Sequence, residues 1–233
     1  MAYLNYKTNR LFAASNDVDD TSIIDSSPMH PSGQEIARAV GRINKAERPV
    51  LVGGSQAPVD SSQDDAIAAA VERIGMTVYL SGMARGLMGA SHPLHHRHQR
   101  GKALREADLV VLAGVPSDFR LNYGRTVRRS ACLISANRSS IDLKRNRKHE
   151  IGSLADAGLF LRALAEKLEP NVSAGGSEWQ ELLQKRDAER ENEIDTSANA
   201  PGELINPVLL CRSINAELTD NSVIVTEGGD YVG

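Results

Sequence analysis

Four groups of residues in this sequence have types and spacings that bear on chemistry. His92, His95, His96 and His98 fall within seven positions. Tetrahedral zinc needs about four nitrogen or sulfur ligands at fixed spacings, commonly i and i+4 on a helix. No Cys, Asp or Glu lies among these histidines, and Pro93, Arg97 and Arg100 describe a positively charged loop or first helical turn instead. No metal ligands are therefore assigned. Gly53-Gly54-Ser55 is the second group, placed where a phosphate-binding turn sits in an α/β sheet. It is not G-x-G-x-x-G, and the next strand ends at Leu80-Ser81 without the acid that binds a ribose hydroxyl, so a tight βα turn is expected.

The third group is basic. Arg120, Arg125, Arg128, Arg129, Arg138, Lys144, Arg145, Arg147 and Lys148 face one acid, Asp142. Such a run is usually a solvated face; the sharper reading is a surface for a phosphate-bearing ligand such as a coenzyme A nucleotide. Only Phe119 and Tyr123 lie nearby, so the interleaved aromatics of a nucleic-acid surface are missing. The fourth group is Glu227-Gly228-Gly229-Asp230-Tyr231, just after a candidate strand. α/β sheets bind ligands at that edge, and two glycines let backbone approach an anion closely; a plain turn fits equally well. No G-x-S-x-G occurs, neither cysteine has a His near it in sequence, and Asp108 and Asp118 read as single carboxylates without a partner. No catalytic residue is assigned.

These groups need elements to hold them. Residues 13–31 are rich in Ser, Asp and Pro, and 1–31 reads as a linker. Ser32-Gly-Gln-Glu35 is a capping box that opens a helix with Ile36, Val40 and Ile43 on one face. Pro49-Val-Leu-Val-Gly53 and Met76-Thr-Val-Tyr-Leu80 read as strands, separated by a helix carrying Ile67, Val71 and Ile74. A short helix over Lys102–Ala107, strands at Asp108–Gly114 and Ala131–Ser135, and a helix capped by Asp156 with Phe160, Leu161, Leu164 and Leu168 inward continue the alternation. Strands alternating with helices predict a doubly wound parallel α/β sheet over about 32–170.

Beyond it, a charged helix over 177–194 has Trp179, Leu182 and Leu183 as its only large apolar residues, and its excess acid suits packing against the basic run. Asp195–Gly202 is small and polar, so 171–205 reads as helix and linker. Asn206 caps a helix with Pro207 at its first position and Leu210, Ile214 and Leu218 as its stripe; Ser222–Thr226 is a strand. One helix and one strand make no domain, so 206–233 reads as the truncated βα start of another.

With 233 residues, a net charge of −3 and 24% charged residues, the chain is long enough for an ordinary core and lacks a nucleic-acid footprint. Cys132 and Cys211, far apart, read as small buried hydrophobes in a reducing compartment. The longest apolar stretch, Leu109 to Val115, is far short of the ~20 residues that span a bilayer, and no secretory signal is visible.

Several segments resemble a known family. Ser81-Gly-Met-Ala-Arg-Gly-Leu87, His92-Pro-Leu-His95, Ala107–Gly114, Asp118-Phe-Arg-Leu-Asn-Tyr-Gly-Arg125, Asn137-Arg138 and Asn221–Gly233 are similar to the thiamine diphosphate (ThDP) enzymes, in the branch that cleaves 2-hydroxyacyl-CoA or forms acetolactate. The resemblance implies a Rossmann-like central domain followed by the start of the ThDP-binding domain. It implies a ThDP- and Mg²⁺-dependent lyase giving an aldehyde and formyl-CoA, working as a homo-oligomer on an acyl-CoA at the endoplasmic-reticulum membrane. By position, Glu227, Gly228, Gly229, Asp230 and Tyr231 open the diphosphate-binding region. The activating glutamate and the G-D-G…N metal motif do not occur in these 233 residues, so the chain alone is expected to be a soluble, inactive fragment. Relatives that hold FAD or ADP have an Asp-rich strand end where this chain has Ser135-Ala136-Asn137, so FAD is not expected. An acetolactate synthase-type transferase, a stand-alone nucleotide or CoA module and a subunit-interaction module are the alternatives.

Overall fold

The computed structural model describes residues 27–89, 91–169, 176–202, 204–219 and 222. Its framework follows from apolar runs that can only be buried on both faces. Val50, Leu51 and Val52 in β1 (Pro49–Gly53) and Val110, Val111 and Leu112 in β3 (Leu109–Ala113) are all at most 1% exposed. With β2 (Thr77–Leu80), β4 (Cys132–Asn137) and β5 (Ile151–Leu154) they form one parallel sheet in the order β2-β1-β3-β4-β5. The chain reverses its direction of winding between β1 and β3, the point at which open α/β sheets present a crevice.

Helices cover both faces. On one face α1 (Gly33–Ile43), α2 (Asp64–Ile74) and α5 (Ala157–Lys167) bury Ile36, Ile43, Ile67, Val71, Ile74, Phe160, Leu161 and Leu164 against Leu51, Val111 and Ile134. The predicted capping box is present: Glu35 N–H donates to Ser32 Oγ, and Ser32 N–H to Glu35 Oε2, both at 3.2 Å. On the other face α3 (Arg100–Glu106) and α6 (Gly176–Ala198) bury Ala103, Leu104, Trp179 and Leu183 against Val50, Val52, Val110 and Leu112. The doubly wound parallel sheet expected from sequence is the fold.

Five local expectations change. The strand β5 and the single turn α4 (Ser140–Leu143) are additional, because Ile151-Gly-Ser-Leu154 alternates between buried and open positions at the sheet edge and lacks a continuous apolar run. Helix α6 continues through Asp195 to Ala198, which is 2% exposed, so the polar linker begins only after it. The acid of α6 does not meet the basic run; Asp187 Oδ1 accepts from Arg97 N–H (3.0 Å) and His98 N–H (2.7 Å), and Arg186 pairs with Glu106. Asp156 stands at the N-cap of α5 but gives its side chain no capping role. Helix α7 (Pro207–Ala216) begins as expected, with Asn206 Oδ1 accepting from Val208 N–H at 2.9 Å, yet Leu210 and Ile214 of its stripe lie about half exposed among the described residues. No helix among the described residues is long and apolar enough to cross a membrane.

Candidate functional site at the carboxyl edge of the sheet

The crevice beyond β1 and β3 is built by backbone that packs on itself. Gly54 N–H donates to Ala113 O, Gly114 N–H to Ala136 O (both 2.9 Å), and Ser81 N–H to Gly53 O (2.8 Å). These bonds stitch four strand ends together. A Cβ on Gly54 would lie 2.4 Å from Val115 Cγ2 and 2.5 Å from the Gly114 carbonyl oxygen, so glycine is required there by the chain's own atoms. Gly114 has φ +72° and faces Gln56 in the same way. Gly53-Gly54-Ser55 is accordingly a tight βα turn; Ala57 N–H closes it on Gly54 O at 2.9 Å.

Polar side chains continue the stitching. Gln56 Nε2 donates to Asn137 Oδ1, and its Oε1 accepts from Arg138 N–H, both at 3.0 Å. Asn137 Oδ1 also accepts from Ser139 N–H at 2.8 Å. At the end of β5 the Asp156 carboxylate pairs with Arg138 and accepts from Met29 N–H at 2.8 Å, while Asp156 N–H donates back to Met29 O at 2.8 Å. Segment 27–30 is thereby clamped to the sheet edge, beside a cleft of about 310 Å³ lined in part by Gln56, Ile67, Arg138, Asp156 and Arg162. Sequence reading assigned Asp156 to a cap because β5, which carries it to this edge, was not recognised.

The loop after β3 is held under strain. Asp118 pairs with Arg120, and its carbonyl accepts from Tyr123 N–H at 2.7 Å. Asn122 (φ 48°) and Tyr123 (φ 54°) are consecutive non-glycine residues in the left-handed region, a conformation that costs of order 1–3 kcal/mol each and gathers at functional sites. The loop pushes Phe119 and Tyr123 into the open, 66% and 55% exposed, with the Arg120 guanidinium 4.9 Å from the Phe119 ring centroid.

The other sequence candidates are dispersed. Asp108 is no lone carboxylate: it accepts from Glu47 N–H (2.7 Å) and Arg48 N–H (2.9 Å), joining the entries of β1 and β3. Asp118 likewise has its arginine. The histidines go separate ways. His92 Nδ1 accepts from Leu94 N–H at 3.2 Å, His95 Nδ1 lies 3.2 Å from Gly89 O, His98 Nε2 lies 2.8 Å from Glu191, and His96 is buried. No three His, Cys, Asp or Glu side chains among the described residues converge on a metal position. Within the basic run, Arg147 is spent on the carbonyls of Gly124, Val127 and Arg128, and Arg145 on Asp142. Cys211 is exposed rather than buried. Cys132 is half-buried, and burial with a hydrogen bond to Glu150 pushes its thiol up to about 12. Glu227, Gly228, Gly229, Asp230 and Tyr231 lie outside the described residues.

Against known proteins, residues 36–164 match the thiamine pyrophosphate enzyme central domain. The chain belongs to the thiamine pyrophosphate enzyme family. Among its relatives, human 2-hydroxyacyl-CoA lyase 2 is 37% identical over 98% of this chain, and the bovine protein of that name 39% identical over 87%. A probable acetolactate synthase of Mycobacterium bovis is 27% identical over 99%. The chain spans 37%, 32% and 42% of the lengths of these three relatives. A putative thiamin diphosphate-dependent enzyme from Mycobacterium smegmatis superposes with a TM-score of 0.50 over 64% of this chain and 30% of its own, at 21% identity, which supports the fold.

Proposed function

We propose that these residues are the central domain, and the opening of the next domain, of a ThDP- and Mg²⁺-dependent carbon–carbon lyase that splits 2-hydroxyacyl-CoA into an aldehyde and formyl-CoA. The observation that carries this reading is the 37% identity with a 2-hydroxyacyl-CoA lyase over nearly the whole chain, against 27% with an acetolactate synthase. ThDP supplies, when bound, the electron sink that carbon–carbon cleavage requires. The described residues act as scaffold. At the carboxyl edge Asp118 and Asp156 are committed to backbone N–H groups and arginines, which suits a structural role. Glu227, Gly228, Gly229, Asp230 and Tyr231 are the residues we place beside the diphosphate.

The same edge argues against FAD. The space next to Gly54 is filled by Gly114 and Val115, and the strand-end carboxylate of Asp156 is held by Arg138 and segment 27–30. Two experiments test the reading. Aldehyde release from a 2-hydroxyacyl-CoA is expected from the longer protein that contains these residues; acetolactate formation from pyruvate in its place overturns the lyase assignment. Calorimetric titration of the 233-residue chain with ThDP and Mg²⁺ is expected to show no tight binding and no turnover. Saturable micromolar binding abolished by Glu227→Ala would make it more than scaffold.

A further inference from the structure

Outside the carboxyl-edge crevice, a cleft of about 680 Å³ opens beside β2, lined among others by Tyr79, Arg85, His95, His96, Arg97 and Arg100. Its floor is buried and polar. His96 is 3% exposed, and its Nε2 is buried with no hydrogen-bond partner among the described residues. Tyr79, 3% exposed, stacks at a tilt on His96 with ring centroids 6.0 Å apart. Burial lowers the His96 pKa, so near neutral pH the ring is an uncharged donor or acceptor; burial likewise raises that of Tyr79, which keeps its proton.

The walls are cationic and under-compensated. Arg100 is half-buried; one of its nitrogens donates to Arg120 O at 3.1 Å, and it forms no ion pair among the described residues. Arg85 is exposed at the mouth and also forms none. Arg85 and Arg100 both line this one cleft, and burial, then the charge of Arg85, lowers the pKa of Arg100. Arg97 is the third cation, paired with Glu191. Asp187 is the other acid facing the cleft from α6, and its Oδ1 is taken by Arg97 and His98 N–H groups. Among the described residues no carboxylate is part of the cleft lining itself, Asp187 lying behind Tyr79 and His96. Guanidinium forks match the paired oxygens of a phosphate.

We propose that this cleft is a binding site for a phosphate-bearing small molecule, its phosphate held between Arg85 and Arg100 with His96 Nε2 at the base. The volume exceeds what one phosphate fills, so the ligand carries a further body or a second phosphate. The inference does not depend on the lyase reading. Pyrophosphate is the probe, titrated calorimetrically into the 233-residue chain at low salt, with citrate as a carboxylate comparison. Saturable pyrophosphate binding is expected, weakened about tenfold or more in both Arg85→Gln and Arg100→Gln, as loss of a charge-assisted fork implies. Arg125→Gln, in the basic run outside the cleft, is expected to bind as the parent does, and circular dichroism checks that each variant is folded. Absence of saturable binding, equal binding in the Arg85 and Arg100 variants, an equal loss in Arg125→Gln, or citrate binding as well as pyrophosphate would each overturn the proposal.

Discussion

Replacing Trp179 by alanine tests whether α6 is an integral layer of the domain. Trp179 is the one tryptophan of the chain and is 4% exposed; its Nε1 donates to Pro49 O at 3.3 Å, and the Arg48 guanidinium lies 5.8 Å from the ring centroid. A buried aromatic removes roughly 150–250 Å² from water, which at ~25 cal/mol per Å² amounts to roughly 4–6 kcal/mol. An extended reference chain inflates that figure, and Trp→Ala changes in cores cost about 3–5 kcal/mol. The remaining anchors of α6 include Leu183, the Asp187 carboxylate on the Arg97 and His98 N–H groups, and partly exposed ion pairs such as Arg186–Glu106, each pair contributing about 0–1 kcal/mol. Trp179→Ala is therefore expected to lower stability by about 3 kcal/mol or more, to the limit at which α6 simply detaches. Leu182→Ala, the next large apolar residue but 39% exposed, is expected to cost under about 1 kcal/mol. The assay is urea denaturation followed by circular dichroism at 222 nm, with parent tryptophan emission as a second probe. In the parent both probes should report one transition, because the tryptophan sits in the core face that covers β1 and β3. Equal losses in the two variants, or water-exposed emission from the folded parent, would refute the packing argument.

Three further outcomes follow from the site. Gly54→Ala forces a Cβ to 2.4 Å from Val115 Cγ2 and 2.5 Å from a backbone oxygen, and is expected to destabilise by about 1–3 kcal/mol in the same urea assay; a neutral result would mean the turn has free space. Cys211 is expected to be alkylated quickly at pH 8 while Cys132, its thiol pushed up to about 12, stays protonated and slow; mass spectrometry of partly modified protein reads the order. Glu191 has a lowered pKa, first through its hydrogen bond to His98 and then through Arg97 and Arg212. A carboxylate depressed in the folded state contributes stability that is present above its unfolded pKa and lost as pH falls through the folded one. Glu191→Gln is thus expected to flatten the acid limb of the stability profile below about pH 4.5 and to leave its shape at higher pH unchanged.

Part of this architecture was legible from residue order alone. Val50–Val52 and Leu109–Ala113 are unbroken apolar runs bounded by glycine or charge, so they had to be strands buried on both faces, with helices at Ile36–Ile43 and Ile67–Ile74 to cover them. The same order carried the family's motifs, from Ser81-Gly-Met-Ala-Arg-Gly-Leu87 to Asp118–Arg125. Nearest-neighbour chemistry such as the Ser32–Glu35 capping box needs only residues three apart, and it too could be read directly.

What the sequence could not carry is which distant groups become neighbours. Asp156 looks like a cap beside its own helix, but the edge strand β5 delivers it to Arg138 and to Met29, 127 residues away. The acid of α6 was as well suited to the run at 120–148 as to the loop at 97–106; Trp179 and Leu183, seeking the bare face over β1 and β3, decided the matter. His96 and Arg100 read as one member each of a histidine cluster and a basic loop, and only the turn from β2 into α3 buries one and sets the other in the same cleft as Arg85, with no ion pair among the described residues. Periodicity reports the faces of elements because it depends on residues within one turn or pleat. Partner choice depends on burial and charge summed over elements far apart in the chain, and those exist only once the sheet has formed.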